Sequence, residues 1–112
     1  MSDCLFCRIV SGEIPATVVA ETETTLAFRD IAPQAPTHVV LVPKTHSANA
    51  AELAADPPGL ADLFVVAAKI AQEEGIAESG YRLLFNTGAD AGQTVFHAHL
   101  HLLGGKRMGP LA

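Results

Sequence analysis

Gln93-Thr-Val-Phe-His-Ala-His-Leu-His-Leu-Leu-Gly-Gly105 alternates imidazoles with small or aliphatic side chains from His97 onward, and that alternation decides the fold. Successive side chains of a β-strand point to opposite sides, so His97, His99 and His101 gather on one face while Ala98, Leu100 and Leu102 turn to the other. The aliphatic face predicts burial against a core. The other collects three of the five histidines of the chain, and imidazole, whose ordinary pKa lies nearest neutrality, can attack, donate a proton, hold a metal or bind an anion. A lone strand histidine is usually an ordinary packed or surface residue; three at alternate positions ask for more. Catalytic zinc is often held by three histidines, but i and i+2 rings on one strand run nearly parallel and close poorly around one ion. A nucleophile beside a phosphate binder suits the spacing better.

Working upstream, Tyr81 to Asn86 reads as a strand joined to Phe96–Leu103 through the glycine-containing turn 87–92. Before it, Asp56-Pro57-Pro58 offers a cap and a proline-tolerant first turn, and Gly75 a stop, which frames one long helix. Leu60, Leu63, Phe64, Ala67, Ile70 and Ala71 recur at helical spacing as its core stripe. Val65 and Val66 widen the apolar surface beyond a single contact, which points to a second copy of the chain as partner, a homodimer. His38 to Val42 is a β-branched run ending at Pro43 and reads as an internal strand. Val18–Glu21 and Thr25–Asp30 form a hairpin around Glu23, and Cys4–Val10 a short helix closed by Ser11-Gly12 and Pro15. The short connections favour an antiparallel meander. The expected class is α+β: an antiparallel sheet of about five strands, a short N-terminal helix and one longer helix, with the sheet extended across the dimer.

The 112 residues suit one domain, residues 1–112, with a core of Val, Leu, Ile, Ala and Phe. A net charge of −5 excludes a broad electrostatic grip on nucleic acid, which depends on many Lys and Arg contacts to phosphate. The stretch from Leu60 to Ala71 is too short for a bilayer and contains Asp62 and Lys69, so no membrane role is expected. Asp3 and Glu13 stand where a secretory signal would be basic and then apolar, which predicts a cytoplasmic protein. There, two cysteines are reduced thiols or metal ligands more often than a disulfide.

The run from Gln93 to Gly105 closely resembles the signature of the histidine triad (HIT) nucleotide hydrolases and transferases. Leu26-Ala-Phe-Arg-Asp-Ile-Ala-Pro-Gln-Ala-Pro-Thr-His38 and Val40-Leu-Val-Pro-Lys-Thr-His46 resemble the central segment of the Hint branch, and Asn86 with Gly92-Gln93-Thr94 its glycine-turn segment. The resemblance extends from Cys4 to Met108. It implies that His99 attacks the α-phosphorus of a nucleoside monophosphate conjugate, giving a covalent nucleotidyl-imidazole that water discharges. It implies further that His101 binds the non-bridging phosphate oxygens, that His38 orients the His99 ring through a hydrogen-bond network, and that Thr94 bonds the leaving-group side. Asn86, Gly92 and the backbone from Gln93 to Val95 complete the phosphate pocket. Asp30 takes the ribose hydroxyls, while Phe6, Ile9, Phe28, Ile31 and Val40 form a slot for a purine, adenine or guanine. Spacing alone leaves plainer readings open: a strand histidine for His38, a solvated turn carboxylate for Asp30, a threonine at a strand edge, and ordinary core for the apolar set.

In many bacterial relatives a CxxC pair, the histidine of the Pro-Lys-x-His segment and the first triad histidine hold a structural zinc. Their counterparts here are Cys4, Cys7, His46 and His97, a Cys₂His₂ set of the type that zinc takes; two metal-free thiols are the alternative. No organic cofactor is implied. The substrates implied are purine nucleoside monophosphates and their phosphoramidate conjugates. A dinucleoside polyphosphate hydrolase, or a nucleotide-binding regulator with incidental hydrolysis, is the alternative. Leu103-Gly-Gly105 resembles the Hint pattern, which favours the phosphoramidase, while Thr94 leans to the dinucleotide class. Met108-Gly-Pro-Leu-Ala112 departs from relatives that carry an aromatic residue near this end, which leaves the leaving-group preference open.

Overall fold

The computed structural model describes residues 3–110, so Leu111 and Ala112 of the divergent C-terminal segment lie outside the described residues. Helix α1 (Leu5–Val10) is capped by Cys4, whose Sγ accepts from the Cys7 backbone N–H, and ends at Ser11. Strands β1 (Val18–Glu21) and β2 (Thr25–Arg29) form the expected hairpin, followed by β3 (Thr37–Pro43). A short helix α2 (Ala50–Leu53), not foreseen from the sequence, is capped by the Asn49 side chain accepting from the Glu52 N–H. That Asn-x-x-Glu spacing was its available signal. Helix α3 (Pro57–Glu73) starts at the Asp56 cap. Strand β4 (Tyr81–Phe85), a 3₁₀ turn at Ala89–Ala91 and β5 (Leu100–Gly104) complete the chain.

The five strands form one antiparallel sheet in the order β1-β2-β3-β5-β4. This corrects the simple meander, because β5 inserts between β3 and β4. Burial explains the exchange: alternate residues of β5 are fully buried, whereas β4 is nowhere fully buried and takes the edge. β3, buried along its whole length, occupies the centre.

Both faces of the sheet carry a helix. On one face, Ala27, Val39, Leu41, Leu100 and Leu102 pack against Leu63, Val66, Ala67, Ile70 and Ala71 of α3. On the other, Leu26, Phe28, Val40 and Val42 meet Phe6 of α1. The stripe of α3 is therefore rotated from its expected place. Val66 is core at 5% exposure, while Phe64 is 41% and Val65 65% exposed. Leu63, Val66, Ala67 and Ile70 follow the i, i+3, i+4, i+7 rule more closely than a stripe through Phe64 does. The last strand also begins four residues later than expected, at Leu100 rather than Phe96. The Ala98 N–H donates instead to the Ser47 carbonyl at 2.6 Å, outside the sheet.

Candidate active site and metal centre

The α1 face of the sheet holds an open cavity of about 840 Å³, within the range of small-ligand sites. Of the thirteen residues assigned to nucleotide binding from the sequence, twelve line it: Phe6, Ile9, Phe28, Asp30, Ile31, Val40, Asn86, Gly92, Thr94, Val95, His99 and His101. The exception is Gln93. Its side chain is a brace, with Nε2 donating to the Ala48 and Val95 carbonyls and Oε1 accepting from the Gly88 N–H. Its backbone N–H donates to the Gly88 carbonyl. Gly92 turns the chain at φ 85° beside the cavity, a region L side chains seldom enter. Sequence reasoning missed Leu5, Arg29 and the wall made by Ile14, Pro15, Ala16 and Thr17. Arg29 brings no free charge to the cavity, because its guanidinium is held in a two-bond pair with Glu74 at 2.7 and 3.0 Å.

Although His97 and His99 precede the assigned strand, the alternation persists through them. Ala98 and Leu100 are buried in the α3 core, while Phe6 of α1 meets the rings of His97 at 6.0 Å and His99 at 4.9 Å. His101 lies opposite Val40 in the β3–β5 register, and His38 opposite Leu103, so the two histidines are diagonal neighbours on one face.

Hydrogen bonds to the backbone fix which nitrogen of each ring carries the proton. His99 Nδ1 lies 2.7 Å from the His97 carbonyl; a carbonyl only accepts, so Nδ1 is protonated and Nε2 keeps its lone pair in the neutral ring. The Gln34 N–H donates to His38 Nδ1 at 3.0 Å, which puts the proton of His38 on Nε2. That nitrogen stands 2.9 Å from His101 Nδ1, so His101 in turn carries its proton on Nε2. His38 therefore bonds His101 directly, not His99. Asp30 Oδ2 competes for the same His38 N–H from 3.4 Å, while Asp30 Oδ1 accepts from the Ala32 N–H.

Burial pushes the pKa of His101 down to about 4, helped by His99 and His38 and opposed by the Asp30 charge. Burial also lowers His38, again against Asp30. Both rings are consequently neutral near pH 7, and His101 presents an N–H dipole rather than a cation.

Beside this chain of rings, Cys4, Cys7, His46 and His97 bring one ligand atom each to within 4.8 Å of one another. His97 Nε2–H donates to the Pro43 carbonyl at 2.8 Å, so its Nδ1 lone pair faces the cluster. That Nδ1 is 3.1 Å from His46 Nδ1, 3.4 Å from Cys4 Sγ and 3.5 Å from Cys7 Sγ. His46 Nδ1 is 3.3 Å from Cys7 Sγ. Ligands at ~2.0–2.3 Å around a tetrahedral ion sit roughly 3.3–3.8 Å apart, so the donors and their spacing fit such an ion. Pro43 serves as the outer partner that fixes the ring of His97.

An alternating-histidine segment on one sheet face, its ring nitrogens assigned in series above a cavity of nucleotide size, defines the histidine triad class. Residues 11–108 match the HIT domain family, and the chain belongs to that family. It is 44% identical over 110 residues to the purine nucleoside phosphoramidase of Escherichia coli (strain K12), covering 97% of this chain and 92% of that protein. It is 46% identical over 112 residues to the 14 kDa zinc-binding protein of Zea mays, covering 96% of this chain and 85% of the other. Among solved structures, the HIT family hydrolase from Legionella pneumophila Philadelphia 1 superposes with a TM-score of 0.92 at 54% identity, over 96% of each chain.

Proposed function

We propose that this protein is a purine nucleoside phosphoramidase that works through a covalent nucleotidyl-His99 intermediate. The observation that carries the reading is the 2.7 Å bond from His99 Nδ1–H to the His97 carbonyl. In the neutral ring it leaves the lone pair on Nε2, and His99 and His101 line the cavity together with ring centres 5.0 Å apart. The similarity to the Escherichia coli phosphoramidase supports the reaction class.

In the first step His99 Nε2 forms a bond to the α-phosphorus, and the bond from phosphorus to the amine nitrogen breaks. In the second, water displaces the imidazole, releasing the nucleoside monophosphate and restoring His99. His101 Nε2–H binds the non-bridging oxygens, held in that tautomer by His38; a donor fixed before the reaction costs no reorganisation as charge develops. Thr94, exposed at the cavity wall, takes the leaving-group side, with Asn86 and the backbone of Thr94 and Val95 around the phosphate. Asp30 receives the ribose hydroxyls. The base lies among Phe6, Ile9, Phe28, Ile31 and Val40, a slot that selects a purine by shape.

The Cys4/Cys7/His46/His97 set holds a structural zinc in this reading, supported by the donor geometry and by similarity to a zinc-binding protein. The ion ties α1 to the segment before β5, and the chemistry proceeds on His99 and His101. Reduced thiols suit the cytoplasm. No described helix is long and apolar enough to cross a membrane. The exposed Phe64 and Val65 of α3 and Tyr81 of β4, with β4 an open edge of the sheet, support a homodimer with the sheet continued across it. The chain is a single domain in the same reading.

The deciding assay compares turnover of an adenosine 5′-phosphoramidate with that of a dinucleoside polyphosphate under one set of conditions. The phosphoramidate is expected to be preferred by tenfold or more, on the order of the discrimination one well-placed contact provides. A preference for the polyphosphate overturns the assignment.

A further inference from the structure

His97 belongs to two parts of the molecule at once. Its ring faces Cys4, Cys7 and His46, with Nδ1 toward the cluster and Nε2–H on the Pro43 carbonyl. Its own carbonyl is the acceptor, at 2.7 Å, that sets the tautomer of His99. A second link runs through α1. Phe6 lies between Cys4 and Cys7 in sequence, and its ring centre is 4.9 Å from His99 and 5.6 Å from Phe28, both in the cavity wall.

We infer that the Cys4/Cys7/His46/His97 cluster is energetically coupled to the nucleotide cavity, and that His97 is a positioning residue through which a bound cation orients the nucleophile. The inference rests on the zinc reading above. A six-residue helix such as α1 is far too short to be stable alone, so its place over the sheet depends on what anchors it. Phe6 is one anchor and the two thiols are the other. A tetrahedral ion joins α1, the loop after β3 and the segment before β5, and so fixes the cavity wall and the His97 carbonyl together. Without the ion, both relax together. Binding free energies are reciprocal: if the cation tightens nucleotide binding, the nucleotide tightens cation binding by the same factor, commonly about 5- to 150-fold.

The test uses the full chain and zinc itself. Zinc affinity is measured by competition with a chromophoric chelator, without AMP and with saturating AMP, and AMP affinity is measured on the stripped and loaded protein. Chelator and zinc titrated with AMP alone supply the correction for zinc held by the nucleotide, and circular dichroism follows the fold. The expected result is a zinc affinity raised at least fivefold by AMP, an equal rise in AMP affinity on loading, and a stripped chain that keeps its secondary structure. The His99 Nδ1–H proton should exchange slowly in the loaded protein and rapidly in the stripped one, a change that a purely structural ion would not produce. His46→Ala, remote from the cavity wall, should reproduce the AMP affinity of the stripped protein even in excess zinc. Stoichiometric zinc whose affinity ignores AMP overturns the coupling and leaves the metal reading standing. No stoichiometric zinc overturns both. A stripped chain that unfolds also overturns the coupling, because the ion then acts on the whole fold.

Discussion

Leu100 and Leu102 face α3 from β5, while His99 and His101, interleaved with them in sequence, face α1. The two surfaces come from one alternating segment, yet one is dry and the other chemically active. The difference lies in what covers them. A seventeen-residue helix spans the first face and leaves Leu41, Leu63, Ile70, Leu100 and Leu102 without solvent contact. A six-residue helix covers the second and leaves an 840 Å³ cavity above the strands. Stability is therefore concentrated on one face, and the other is free to hold polar rings whose every buried nitrogen must find a partner.

The comparison breaks most readily at Leu63, which is fully buried. Leu63→Ala should lower folding stability by about 2–5 kcal/mol, read as a lower urea midpoint. Turnover per folded molecule should stay within twofold. A variant of normal stability, or a folded one that has lost turnover, would mean that the α3 face reaches the site.

A smaller effect sharpens the other face. His38 and His101 have folded-state pKa values below the ordinary 6.5, His101 at about 4. The unfolded chain therefore binds their protons first as pH falls. Stability from this source is fully present above about pH 6.5 and is lost progressively as pH drops toward 4. Asp62, lowered chiefly by its hydrogen bond from Thr22, and Glu74, lowered chiefly by its bond from Arg29, are carboxylates whose own losses begin only near their ordinary values of 3.8 and 4.5, at the foot of that window. Urea midpoints of stripped protein between pH 4 and 6.5 should decline with falling pH, and less steeply in His101→Asn. An unchanged slope in that variant would remove His101 as the source.

Much of this arrangement is legible in the sequence, for reasons specific to particular residues. Asp56-Pro57 and Gly75 delimit α3 because caps act locally, and the β-branched run from His38 to Val42, apolar from Val39 on, marks an internal strand. Sheet order is not local. β5 takes the inner position because Leu100 and Leu102 are buried on one face and His101 is half-buried on the other, a comparison with β4 that no window around either strand contains. The shift from Phe64 to Val66 in the core arises from helix rotation, which a broad apolar surface leaves undetermined. At the site, twelve of the residues that the HIT resemblance implies line the cavity, whereas Gln93 stands behind the wall because its main-chain and side-chain bonds close the turn on itself. That the direct partner of His38 is His101 was not legible, since only the β3–β5 register brings the two rings together.

The central claim is that His99 Nε2 is the nucleophile. It is tested most directly by mixing the protein with an adenosine 5′-phosphoramidate, quenching in base within the first turnover, and mapping the modified peptide by mass spectrometry. The account predicts an adenylyl group on His99, absent from His99→Ala although that variant still binds AMP. An adduct on His101, or full turnover by His99→Ala, would contradict it.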